Sequence, residues 1–493
     1  VNAPFLTATF SGPLTPSSVT DASVTLRGLD AGLEPGVVEL FGTNTVRFRP
    51  ARPLVSGWPY TWRFEGSISS SGLPFSGASI DFSTRPPAAV PVGLSDAGVV
   101  APLLGMDPAG NVVLVHGTLD VWSRTYDVGT QTWSAPQRLD TGTAASTPTF
   151  AIDGLGNGLA SWSESSAVDY AVVSRRYDPL SRMWGTPVRH AVSDGGLLFA
   201  EATALNPQGG NAVVAWRQFD GQRYDLVAKR GTLLSSSTLW GSALPVETSL
   251  ADVATRVRAQ LDDQGNAVLL FRSGAPASLW AASFTVGATA WTTEQLTATA
   301  NEAFDLATDG TSFWALYEVP QAPNRVDVVV RRRSAGAWQA PLTLSANADT
   351  SSSSTFPRVA GVSASRRSAV LAGWTERLPP PFDASVVRVR FFNGVAWSAP
   401  QSFGNGATHV WLAMGPLGHG AAVWLQVQPT SAGFGAAIFD PLTQVGTPSA
   451  PFGPVTFLGT VPPPLPWMAV TLGWRGNGLA AAASLPFDAV ELR

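Results

Sequence analysis

A tight turn, then a short apolar strand that ends on a large aromatic, recurs along most of this 493-residue chain. Its clearest copy is Gly209-Gly210-Asn211-Ala212-Val213-Val214-Ala215-Trp216. A Gly-Asn pair or its substitute stands at Asn111, Asn157, Asn211, Asn266, Thr311, Arg367, His419 and Asn477, at intervals of 46, 54, 55, 45, 56, 52 and 58 residues. Repeats near this length in a chain rich in turns and strands build propeller blades, because one such unit cannot bury both faces alone. Abundant Gly (48), Pro (39) and Trp (18), with no long helical pattern, fit an all-β chain.

Each repeat has four parts. An apolar strand comes first, as in Leu103 to Met106 or Val257 to Leu261. A turn follows, clearest as Asp107-Pro108-Ala109-Gly110-Asn111, Asp153-Gly154-Leu155-Gly156-Asn157 and Asp262-Asp263-Gln264-Gly265-Asn266. Asp can bond to backbone within such a turn, and Gly and Asn tolerate positive φ. The oxygens would suit a hard cation, but each turn has too few carboxylates, so an Asx-type turn is expected and no metal. The third part carries Trp162, Trp216, Phe271 and Trp424, each five residues beyond its anchor, in strands apolar on both faces. His116 occupies the same place and reads as a core substitution. The fourth is a hairpin ending in Trp-x-x-Pro-x-x-Leu, complete at Trp133 to Leu139 and Trp338 to Leu344. Proline there fits an outer edge strand, where a missing N–H is tolerated.

The last unit, from Trp467, has room for only three strands. Pro91-Val92-Gly93-Leu94 supplies the missing Pro-x-x-Leu, so a strand near 88–95 is expected to pair with the C-terminal blade and close the ring. This gives eight blades over 87–493, or seven if a degenerate unit near 367 or 419 is an insertion. Arginines ahead of the hairpins (Arg175, Arg176, Arg331, Arg332, Arg388, Arg390) are placed to stack on Trp184, Trp338 and Trp397.

Residues 1–86 read differently. Short alternating segments, such as Phe5 to Phe10, Val37 to Phe41 and Tyr60 to Phe64, lie between Gly and Pro clusters, as in a β-sandwich. The run Pro13-Leu14, Ser18-Val19, Val24-Thr25-Leu26, Val46-Arg47-Phe48-Arg49-Pro50, Leu54, Gly57, Tyr60 and Phe82-Ser83-Thr84 resembles a bacterial Ig-like domain of the S-layer type. The resemblance implies a spacer in an exported protein. The repeat turns resemble the Asp-box of sialidases in part: the Ser-x-Asp lead is missing, and the aromatic comes five residues after Asn.

Net charge is −4, charged residues are 13%, and Lys229 is the single lysine. No basic run with interleaved aromatics exists, which argues against nucleic acid as a partner. The chain has no cysteine, which excludes disulfides and thiolate chemistry and fits an oxidising compartment. No apolar run approaches the ~20 residues that span a bilayer. The chain starts at Val1 without Met, as it would after removal of a leader. These features lead to an extracellular or outer-surface bacterial protein, with the periplasm as the other location.

Two sets of polar residues are candidates for ligand binding. Glu201, Arg256, Glu302, Arg358, His409 and Trp467 stand at the starts of first strands and would surround the channel mouth. Glu164, Arg217, Asp220, Arg272, Glu318, Glu376 and Arg377 follow the post-turn strands, in loops of varying length. Both would lie opposite the Asp turns. Bland alternatives are salt bridges between blades and solvated loop charge. No catalytic set emerges: no nucleophile elbow, P-loop or dinucleotide fingerprint is present. A glycosidase needs two carboxyls ~5–9.5 Å apart; Glu201 and Glu302 could be brought near the axis, but they stand two blades apart and the sequence gives no distance. The expectation is a cofactor-free, non-enzymatic binding or adhesion protein whose partner is a cell-surface protein or glycan. A sialidase-like or lyase-type glycan-cleaving enzyme is one alternative, and a structural subunit of an extracellular assembly is another.

Overall fold

The computed structural model describes residues 6–492 except 29–32, 35, 51–58, 84–89, 94–101, 108–109, 118, 142–143, 147, 167–168, 194–196, 235–236, 248–255, 275, 301, 322–324, 350–358, 365–368, 378–384, 405, 416–419, 429–430, 440–455, 462–467, 473–478 and 484–488. The chain divides into two compact units, Val1–Val90 with Arg493, and Pro91–Leu492.

The smaller unit holds two three-stranded antiparallel sheets. One orders Leu6–Thr9, Thr45–Pro50 and Gly36–Phe41, and the other Val24–Gly28, Pro59–Phe64 and Ala78–Ser83. Strand periodicity explains its core: Val24 and Leu26, and Tyr60, Trp62 and Phe64, are alternate residues, and all are buried. Phe10, just past the first strand, sets its ring edge-on to Phe64 of the other sheet at 5.5 Å.

The larger unit is a β-propeller. Antiparallel sheets follow one another along the chain at 103–138, 144–193, 198–247, 258–297, 304–349, 359–403 and 407–461, and the 304–349 and 359–403 sets join at the single pair Asp349↔Arg377. The final sheet orders Met468–Leu472, Leu479–Ala483, Ala489–Leu492 and Val90–Gly93. Val90–Gly93 therefore supplies the closing strand that the Pro-x-x-Leu pattern leads one to expect, and Leu94 itself lies outside the described residues. The first strand of each sheet (in the 144–193 sheet, Thr149–Ile152) touches its counterpart in the next, and Met468–Leu472 touches Leu103–Met106, so the series closes on itself.

The post-turn strands are apolar on both faces because each face enters a different core. In Gly158–Ser165, Ala160 and Trp162 pack with Val113 and Val115 of the preceding sheet. Leu159 packs with Ala212, Val214 and Trp216 of the following one. Val213 and Ala215 of that strand then join Leu269 and Phe271. Trp162, Trp216, Trp374 and Trp424 are all fully buried in such seams.

The Asp turns form a second seam. Asp107, Asp153 and Asp262 each accept the backbone N–H of the Asn four residues on (2.8, 2.9 and 2.8 Å) and that Asn's side-chain amide (2.7, 2.8 and 2.7 Å). Both carboxylate oxygens are thus engaged by their own turn, as Asx geometry requires. Neighbouring turns also bond to one another: Gly154 N donates to Pro207 O at 2.9 Å, and Asp263 N to Gly310 O at 2.7 Å.

The hairpin tryptophans have partners other than the expected arginines. Trp133, Trp184, Trp291 and Trp397 tilt against Tyr126, Tyr177, Phe284 and Phe392 at ring separations of 5.4, 5.4, 5.3 and 5.4 Å. Arg332 lies over Trp314, at 5.1 Å, rather than over Trp338. Arg331 and Arg390 instead donate to backbone carbonyls, to Gln339 O (2.9 Å) and Ser398 O (2.7 Å) in their own hairpins. Each also reaches a carbonyl of the preceding outer strand, Leu296 O at 3.4 Å and Leu344 O at 2.9 Å. Outer-strand carbonyls lack a ladder partner, and a guanidinium with several donors satisfies them.

Candidate functional site

The first strand of the 198–247 sheet contains a register break. Ala200 pairs with Trp216 and Ala202 with Ala215, which leaves Glu201 unopposed. A bulge of this kind re-aims the side chain it carries. The Glu201 carboxylate meets Arg217 of the next strand, with Nε–Oε1 at 2.5 Å, and only 11% and 9% of the two side chains are exposed. Glu201 Oε2 accepts the backbone N–H of Arg256, at 3.2 Å, from the following sheet. Both oxygens are thus engaged, one of them across a blade seam.

Aromatic rings surround this pair. Phe199 lies opposite Arg217 in the ladder, and Phe219 opposite Tyr224. The Arg217 guanidinium sits 5.1 Å from the Phe199 ring centre and 4.9 Å from that of Tyr224. Tyr224 contacts Phe199 at 5.8 Å and Phe219 at 5.1 Å. All three rings are partly exposed. Between Phe219 and Tyr224, Asp220 Oδ1 accepts the N–H groups of Gln222 (2.7 Å) and Arg223 (2.8 Å), which fixes the turn. Those amides hold the Asp220 carboxyl below its ordinary range. Arg223 bonds to Asp225 at 3.1 Å, and burial pushes the Asp225 carboxyl up.

The next two sheets extend the cluster. Arg256 has φ +90°, in the left-handed region. Its guanidinium lies 5.6 Å from the Phe304 ring centre and 3.5 Å from Glu302 O. Burial lowers its pKa to about 10, assisted by Arg258, so it stays charged at neutral pH. Arg258 bonds to Asp305 at 3.1 Å. Glu302 is 85% exposed and lies 3.9 Å from Arg272. Glu318 is buried nearby, and its charge acts on Arg256.

The other expected residues lie elsewhere. Glu164 and Glu376 each accept the indole N–H of a tryptophan two residues back, Trp162 at 3.1 Å and Trp374 at 3.2 Å. Their carboxylates also hold Thr141 N at 3.3 Å and Ser345 Oγ at 3.2 Å, which ties outer chain to inner strand. His409 stacks on Trp411 at 5.7 Å, and burial lowers its pKa. Arg377 ends the strand Ala369–Arg377. Arg358 and Trp467 lie outside the described residues. Among the described residues, no group of three or more His, Asp or Glu is placed to hold a metal.

The structure thus brings Glu201, Arg217, Asp220, Arg256, Arg272, Glu302 and Glu318 into one end of three successive sheets. Sequence reasoning missed Phe199, Phe219 and Tyr224. Their signal was present, since Phe199 stands two residues before Glu201 on the same strand and Phe219 and Tyr224 bracket the Asp220 turn.

No protein-family model matches this sequence, and no curated protein matches it. Among solved structures it is similar to the Hadza microbial sialidase Hz136, at 14% identity over 68% of this chain and 75% of that one, with a TM-score of 0.38. It is similar to the β-propeller domain of the Trilobed protease from Pyrococcus furiosus, at 6% identity over 69% and 92%, with a TM-score of 0.40. It is also similar to the polysaccharide lyase Uly1, at 9% identity over 73% and 90%, with a TM-score of 0.41. At such low identity and TM-score these likenesses assign no activity.

Proposed function

We propose that this chain is an exported bacterial surface or extracellular binding protein that holds a glycan at the Phe199–Phe219–Tyr224 end of its propeller. The N-terminal unit serves as an Ig-like spacer. The 304–349 and 359–403 sets count as two blades, which makes eight. The reading is carried by one observation: partly exposed rings surround a largely buried Arg217–Glu201 pair. Sugar rings have apolar C–H faces and hydroxyl rims. Aromatic faces beside fixed charged groups complement both parts.

Binding without turnover is better supported than glycan cleavage. A general acid needs a carboxyl that can carry a proton, and a second carboxyl ~5–9.5 Å away. Glu201 already has a guanidinium on one oxygen and a backbone N–H on the other. Among the described residues, no helix is long and apolar enough to cross a membrane.

The test is a glycan array with the intact protein, followed by titration of the best ligand. Tyr224→Ala and Phe219→Ala should each weaken binding about tenfold, ~1.4 kcal/mol, with no change in melting temperature beyond a few degrees. Release of new reducing ends or unsaturated sugars from that ligand would show the enzyme alternative to be right. Unchanged affinity in both variants would move the site elsewhere.

A further inference from the structure

We propose that the end of the propeller that carries the Asp turns docks on a zwitterionic lipid surface through its hairpin tips. This end is opposite the Tyr224 rings, and the inference does not rest on the glycan reading. Successive strands of each sheet are antiparallel, so the turn after the first strand and the tip before the outer strand lie at the same end. First strands touch first strands around the axis, which makes the Asp turns inner and the tips outer. One apolar side chain is exposed at the tip of five sheets: Val128, Leu180, Leu234, Val286 and Val395, from 43% for Val128 to 94% for Leu180. Exposed apolar residues scattered singly are ordinary, but recurrence at one place in the repeat is not scatter.

The tips are also poor in charge. Residues 233–239, 285–290, 334–337 and 393–396 contain no Asp, Glu, Lys or Arg. In 127–132 and 178–183 the one basic residue, Arg182, is ion-paired with Asp127, and Asp178 accepts the Ser181 hydroxyl at 2.7 Å. Tips that meet only water are ordinarily polar or charged. The arrangement decides the occupant. A second copy, or another protein, is held by an apolar centre within a polar rim. Here the order is reversed. The inner turns expose Gln208, Gln264 and Thr311, with Leu155 as the apolar exception, and the apolar side chains stand apart on the rim. A bilayer accepts such side chains one at a time, each entering the headgroup boundary while the polar turns stay hydrated. Anionic lipid is drawn to clusters of basic residues, and these tips hold none, so uncharged headgroups match them.

The experiment is flotation of the intact protein with phosphatidylcholine vesicles, with and without added phosphatidylserine. The protein should float with phosphatidylcholine alone. Partitioning should change less than about twofold on adding phosphatidylserine, or between ~50 and ~500 mM salt. The double variant Leu180→Asp, Val395→Asp should partition about tenfold less, with a melting temperature within a few degrees of the parent. Val286→Asp, alone in another sheet, should partition about threefold less and decides the matter if the double variant folds poorly. No flotation, flotation that needs phosphatidylserine and is lost in salt, or undiminished flotation of folded variants overturns the inference. So does a lipid-free dimer, seen by sedimentation velocity, that these substitutions dissociate, because it would assign the tips to a second copy. Each of these outcomes leaves the glycan reading standing.

Discussion

Ser174 Oγ and His190 Nε2 lie 2.7 Å apart in the seam between the 144–193 and 198–247 sheets, with the Trp240 ring edge-on at 4.4 Å. Burial lowers the His190 pKa to about 3, and the Lys229 charge adds to the effect. An unfolded chain would protonate this imidazole near its ordinary value of ~6.5. Between those two values the unfolded state binds a proton that the folded state refuses. The stabilisation is therefore complete above pH ~6.5 and is lost progressively as pH falls toward about 3. Denaturation near pH 4 should find the protein less stable than at pH 7 by on the order of a few kcal/mol from this residue. His190→Gln should flatten that loss. Equal acid sensitivity in the variant would place the effect on other groups.

Among elements, the Asp turns illustrate how a local rule becomes a contact between blades. Gly265 has φ +85°, and a Cβ there would meet the Asn211 side-chain amide nitrogen at 2.6 Å, in the preceding blade's turn. Gly287 has the same backbone conformation, at φ +87°, but a Cβ there would meet nothing within 4 Å. Gly287→Ala should cost only the left-handed conformation, about 1 kcal/mol. Gly265→Ala bears that cost and the clash, and should lose about 2–3 kcal/mol. Paired urea melts separate the two contributions. Equal losses would mean that the seam yields freely and that turn-to-turn packing contributes little. The Trp-x-Glu clamps at Trp162–Glu164 and Trp374–Glu376 work on the same scale. Residues two apart share a strand face, so the acid reaches the indole N–H and the outer chain together.

For the whole molecule, closure depends on Val90–Gly93 lying beside Ala489–Leu492. Without it the last sheet would have three strands and a bare edge, and bare edges pair with other chains. A chain lacking residues 1–93 should therefore melt earlier than one lacking residues 1–83, and should associate as concentration rises. Light scattering over a concentration series reads this directly. Identical behaviour of the two truncations would show that the ring does not need its fourth closing strand.

The sequence by itself determined the all-β class, the repeat and the closing strand, because each rests on local chemistry. Turn residues, two-faced apolar strands and a Pro-x-x-Leu edge are legible without coordinates. It expected Glu164, Arg217, Arg272, Glu318, Glu376 and Arg377 in loops after the post-turn strands, whereas they lie within those strands. It could not tell Glu164 and Glu376, which clamp tryptophans, from Glu201, which a bulge turns toward Arg217. Nor could it show that Arg331 and Arg390 serve carbonyls of a neighbouring sheet rather than hairpin rings. Those outcomes depend on register and on which blade lies alongside, and both are set by distant parts of the chain. The Arg217 pair and its three rings became one site only when the ladder placed Phe199 opposite Arg217 and Phe219 opposite Tyr224.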